Sequence, residues 1–94
     1  MKVRVKYDAP QMSVNEEFSG ESADAIVRQM QQTVASKLNF LMKPFVLGMS
    51  RTQFGQEVVS RYNSATGRSV PRPLSAQEFL TLGQAEGIVT FLDE

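Results

Sequence analysis

Lys2-Val3-Arg4-Val5-Lys6-Tyr7 is the stretch that decides the fold class. Successive side chains of a strand point to opposite faces, so Val3, Val5 and Tyr7 share one face and Lys2, Arg4 and Lys6 the other, the pattern of a half-buried strand. Such a strand needs cover on its apolar face alone, which predicts a two-layer domain. Asp8-Ala9-Pro10 reads as a turn, because proline fixes φ and aspartate hydrogen-bonds the turning backbone. Met12, Val14 and Phe18 then recur at even spacing, so Gln11 to Ser19 reads as a second strand returning antiparallel. Glu16 falls on the apolar side of that strand and predicts a bulge or an edge position near it.

Gly20 closes the hairpin, and Ser22 before Ala23 and Asp24 reads as the N-cap of a first helix, with an acid at the positive end of its dipole. The apolar stripe of this helix is Ile26, Met30, Val34, Leu38 and Leu41, and Pro44 requires it to end, kink or be replaced before Lys43. Continuity past Gln32 stays open. Two further helix starts carry a double signal. Ser50 with Gln53, and Ser75 with Glu78, have capping-box spacing, and Met49 with Phe54 and Leu74 with Phe79 stand where a hydrophobic staple packs across the entry. Helix two is expected from Arg51 to about Thr66 on the stripe Phe54, Val58, Tyr62 and Ala65, with Gly67 as its stop. Helix three is expected from Ala76 to about Glu86, with Gly87 as its stop. Ile88 to Leu92 is apolar, β-branched or aromatic throughout and reads as a strand buried on both faces or between two neighbours. The expected architecture is α+β: a two-layer domain over residues 1–94 in ββαααβ order, a three-stranded mostly antiparallel sheet with helices packed on one face.

Ninety-four residues suffice for one core, and 41 % hydrophobic with 21 % charged residues is a globular composition. No apolar stretch reaches membrane-spanning length, and Met1 to Tyr7 alternates charge with valine where an export signal has a continuous apolar run. The absence of cysteine favours a reducing, cytoplasmic setting. Net charge is zero, yet charge is grouped by segment: +3 over 1–6, −5 over 7–24, +6 over 25–72 and −4 over 73–94. Folding is expected to interleave these blocks and neutralise them.

The chain has neither histidine nor cysteine, and so lacks the commonest general base, the commonest metal ligand and the best thiol nucleophile. Glu16 and Glu17 are adjacent on a strand and point to opposite faces, so they cannot converge on one substrate atom. Gly67-Arg68-Ser69 is no phosphate-binding loop, because Tyr62 stands where that loop has its first glycine and a helix precedes it. No enzymatic activity, cofactor or metal is expected.

Two surfaces carry the functional expectations. In Leu38 to Met49, ten of twelve residues are apolar, proline or glycine, more than one helix face can bury. The leading expectation is a non-catalytic interaction module, a homodimer or a subunit docking on a protein partner, that associates through Phe40, Met42, Phe45, Val46 and Leu47. The opposing reading is that the Pro44 break turns the chain and both sides meet the core. The alternative function is an anion or nucleic-acid binder using Arg51, Arg61, Arg68 and Arg72, with Tyr62 beside them to stack on a base. The sequence pI of 6.3 is low for a nucleic-acid domain. A third reading is an inhibitor mimicking an acidic ligand through Asp8 to Asp24.

Overall fold

The computed structural model describes residues 1–9, 12–37 and 43–92. Strands β1 (Lys2–Ala9) and β2 (Met12–Ser19) are followed by helices α1 (Ala23–Lys37), α2 (Lys43–Leu47), α3 (Arg51–Thr66) and α4 (Ala76–Ala85), and strand β3 (Val89–Leu92) closes the chain. This is the expected ββαααβ order of long elements, with the five-residue α2 added between the first two helices. The sheet is antiparallel in the order β2-β1-β3, so the alternating hexapeptide lies in the central strand.

The hairpin register runs unbroken from Lys2 opposite Ser19 to Ala9 opposite Met12, which places Arg4 opposite Glu17 and Lys6 opposite Asn15. One reading is corrected here. Asp8 and Ala9 extend β1 instead of turning, with Ser13 Oγ donating to Asp8 across the pair; Pro10 and Gln11 lie outside the described residues. Of the two alternatives at Glu16, a bulge or an edge position, the structure shows the edge. Glu16 sits opposite Val5 on the outer strand, where an exposed carboxylate on the helix side costs nothing and discourages further strand pairing. The reading of β3 is also corrected: among the described residues it pairs with β1 alone and is the other edge, with Val89 buried and Thr90 exposed. Its apolar composition reflects one covered face and a short length.

Helices cover one face of the sheet, where Val3, Val5, Phe18 and Val89 meet Ile26, Val27, Met30, Phe54, Phe79 and Leu80. α1 is the hub, touching β2, α2, α3 and α4, and it runs unbroken through Gln31-Gln32-Thr33. Its buried face is wider than the expected stripe and takes in Val27, Gln31 and Ala35; Leu38 and Leu41 lie outside the described residues. α3 has the expected bounds, but its buried residues are Phe54, Gly55 and Val59, whereas Val58 and Tyr62 are half-buried and Ala65 is exposed. Phe54 and Phe79 meet edge to face, 6.2 Å between centroids, which couples α3 to α4. α4 approaches β3 so closely that a Cβ on Gly83 would stand 2.6 Å from Val89 Cγ2, so a larger residue there would force Val89 to shift. The α3 stop is also confirmed, with Gly67 at φ 74° and its N–H donating to Asn63 O.

All three expected N-caps form, Ser22 Oγ accepting from Ala25 N at 3.2 Å before α1. At α3, Ser50 Oγ accepts from Gln53 N (3.1 Å) and Gln53 Oε1 accepts from Ser50 N (3.0 Å), a complete capping box. At α4, Ser75 Oγ accepts from Glu78 N at 3.0 Å; among the described residues the return bond is made at Ser50 alone. The staples diverge. Met49 is half-buried against the core, but Leu74 is 74 % exposed and closes nothing.

Candidate functional site

Pro44 cannot continue α1, and after it the chain turns through a helix too short to have two sides. Successive helical residues are about 100° apart, so when Val46 faces inward Phe45 and Leu47 are swung outward on either side of it. Val46 accordingly packs against the core, while Phe45 is 69 % and Leu47 51 % exposed. Of the expected partner-binding residues, three are thereby placed side by side on α2; Phe40 and Met42 lie outside the described residues.

What holds α2 in position is a residue the sequence reading passed over. Gln31, 2 % exposed on the inner face of α1, donates through Nε2 to Val46 O and to Met49 O (2.9 Å). Arg51 Nη2 donates to the same Met49 carbonyl at 2.8 Å. Inside α2, Gly48 N donates to Pro44 O at 2.9 Å. The signal was present: Val27, Gln31 and Ala35 recur every four residues, a second stripe in which a glutamine takes a core position and so needs partners. Gln31 Oε1 and Arg51 Nε are buried with no hydrogen-bond partner among the described residues.

The four arginines of the alternative reading have separate partners. Arg61 pairs with Glu57 one turn away at 2.9 Å. Arg68 grips both oxygens of Glu86, at 2.8 and 2.9 Å, and Tyr62 donates its hydroxyl to the same carboxylate at 2.9 Å. Arg68, and then Tyr62, hold the Glu86 carboxyl below its usual range, and Glu86 in turn pushes the Tyr62 hydroxyl and the Arg68 guanidinium up. Arg72 donates to the neutral Gln56 Oε1 at 2.9 Å. On the open sheet face Glu17 takes Arg4 and Lys2, which depress its pKa in that order. Through Glu17 and Glu86 the acidic blocks 7–24 and 73–94 meet the basic blocks 1–6 and 25–72.

The segment after α3 is held extended along it by two side-chain amides seven residues apart. Asn63 pairs both ways with the Val70 backbone (3.0 and 2.9 Å), and Gln56 donates to Pro73 O at 2.9 Å. Beside this segment runs an open groove of about 570 Å³, with Met49, Val59 and Val70 as its apolar lining and Gln56, Ser60 and Arg72 among its polar groups. Met49 stands two residues beyond Leu47, so the groove begins where α2 ends. Among the described residues no three carboxylates gather in a metal-binding group, and no helix is long and apolar enough to cross a membrane. No protein-family model, curated protein or solved structure matches the chain.

Proposed function

We propose that this chain is a small non-catalytic protein-interaction module that associates through the apolar segment 40–49, with Phe45 and Leu47 as its anchors. The observation that carries this reading is the split within α2: Val46 packs on the core while the phenylalanine beside it is 69 % exposed. An exposed phenylalanine and leucine fixed side by side on a backbone that is itself hydrogen-bonded from below form a preorganised apolar contact, and aromatic anchors dominate the energetics of association surfaces. A reducing, cytoplasmic compartment suits a chain built without cysteine. The anion-binding alternative draws less support, because Arg61 and Arg68 are already committed to carboxylates.

The test is Phe45→Asp. An anchor in solvent accepts the charge, so the variant keeps its circular dichroism spectrum and thermal midpoint while losing association measured by light scattering and by retention of partners on the immobilised chain. A core phenylalanine would instead cost about 3–5 kcal/mol of folding stability. An unfolded Phe45→Asp, or one that associates like the parent, sinks the proposal.

A further inference from the structure

We infer that the α2 surface and the groove beside it receive an acidic amphipathic protein segment, not a second copy of this chain; the inference rests on the interaction reading above and names its partner. The thirty-two residues from Ala25 to Gln56 contain four bases and no acid, so the apolar anchors Phe45 and Leu47 are set in a stretch of one sign. Lys43 begins α2, Arg51 follows it, and Arg72 stands in the groove that Met49 links to α2. None of these three meets a carboxylate in the ion pairs of the described residues: Arg51 donates to a backbone carbonyl and Arg72 to a neutral amide. Lys2, Arg4, Arg61 and Arg68 each have an acid in contact, whereas Lys6, Arg28 and Lys37 have none in the ion pairs of the described residues, so what distinguishes Lys43, Arg51 and Arg72 is their place around α2 and the groove. The one carboxylate in the groove, Glu57, is engaged by Arg61.

A two-fold dimer repeats the same patch on both partners, so closing it over α2 would bring Lys43 and Arg51 towards their own equivalents. Like charges across an interface are costly, whereas an incoming segment with carboxylates beside leucine or phenylalanine supplies both missing components. Its apolar residues would cover Phe45 and Leu47 and enter the groove over Met49, Val59 and Val70, and its acids would meet Lys43 and Arg72.

The experiment uses the full chain and two fluorescein-labelled helical peptides, one with leucine and phenylalanine on one face and glutamate on the other, its counterpart with lysine for every glutamate. Fluorescence anisotropy should show saturable binding of the glutamate peptide, at least about tenfold tighter than the lysine peptide and weakened by salt. Phe45→Ser should abolish that binding, and Lys43→Glu with Arg72→Glu should reverse the preference. Leu47→Ser replaces Phe45→Ser if the latter loses its circular dichroism spectrum. Equal binding of both peptides overturns the acidic partner while leaving the interaction surface standing. A mass in solution that doubles with concentration and depends on Phe45, without peptide binding, overturns it in favour of a second copy. Binding to vesicles of anionic phospholipid with neither peptide bound overturns it in favour of a lipid surface. Absence of all of these overturns both the inference and the proposal beneath it.

Discussion

α3 and α4 open with the same sequence device, an apolar residue, a serine cap, an acid or amide at the third position and a phenylalanine at the fourth, yet they are fixed at opposite ends. The α3 entrance is tied at every point: Gln31 and Arg51 hold Met49 O, Ser50 and Gln53 close their box, and Met49 lies against the core. The α4 entrance has Ser75 over Glu78 N, with Gln56 donating to Pro73 O one residue before an exposed Leu74. α4 is secured at its exit, where Glu86 binds Arg68 and Tyr62. A capping signature therefore predicts that a helix starts but not how firmly its approach is held. That depends on where the preceding chain comes from, which for Met49 is a helix resting on α1 and for Leu74 an extended segment whose Pro73 is buried instead.

The change that breaks this contrast most severely is Gln31→Ala. It removes two hydrogen bonds donated by a buried side chain, to Val46 O and Met49 O, each worth about 0.5–1.5 kcal/mol. Chemical denaturation should show a loss of that order, and hydrogen exchange should accelerate at Gly48 N while amides inside α4 keep their relative protection. Unchanged exchange at Gly48 would mean that Gln31 is not what fixes α2.

The caps come next. Ser50→Ala and Ser75→Ala should each cost about 0.5–2 kcal/mol, the larger value at Ser50 where two reciprocal bonds are lost, and Ser64→Ala on the exposed side of α3 should be near neutral. Equal losses at all three serines in a denaturant series would remove the basis for distinguishing the two entrances.

A smaller, pH-dependent effect sharpens the other half of the comparison. The Glu86 carboxyl is held below its ordinary value of 4.5, so its tether contributes fully above that value and is lost as pH falls through the lowered folded-state value. Tyr62 is raised from 10.0, so its share is present below that value and lost as pH rises through the folded-state value. Glu86→Gln should flatten the acid limb of the stability profile relative to the parent; an unchanged limb would show that the α4 exit is not held by this carboxylate.

The sequence made the helix starts, the α3 and α4 limits and the hairpin legible because each is set by neighbours within a few residues: serine by the third amide beyond it, Val3 and Val5 by alternation. Glu16 marked an edge for the same reason. Longer-range arrangements were not legible. Nothing local tells Gln31 that Val46 and Met49 will arrive beside it, or rotates the α3 stripe from Val58 and Ala65 towards Gly55 and Val59, where Phe79 packs edge-on against Phe54. β3 looked fully buried because four residues that are apolar, β-branched or aromatic satisfy that reading equally well at an edge. The candidate site was half legible: Pro44 announced the break and the excess of apolar residues, but which of Phe45, Val46 and Leu47 faces out depends on a five-residue helix whose orientation is fixed from α1.

The smallest effect tests the comparison most directly. Met49→Ser and Leu74→Ser remove the same position of the same motif, and if the staple were a local device the two would cost alike. Met49 is half-buried against the core, so its loss forfeits apolar burial worth about 1–2 kcal/mol, whereas Leu74, already 74 % exposed, has almost nothing to forfeit and should fall within about 0.5 kcal/mol of the parent. Thermal and denaturant unfolding of both variants measure the difference. Leu74→Ser should also leave glutamate-peptide binding unchanged, which separates an exposed leucine without a neighbouring anchor from the Phe45 and Leu47 pair. A Leu74→Ser variant as unstable as Met49→Ser would mean that Leu74 closes over Phe79 in solution and that the two helix entrances are built alike.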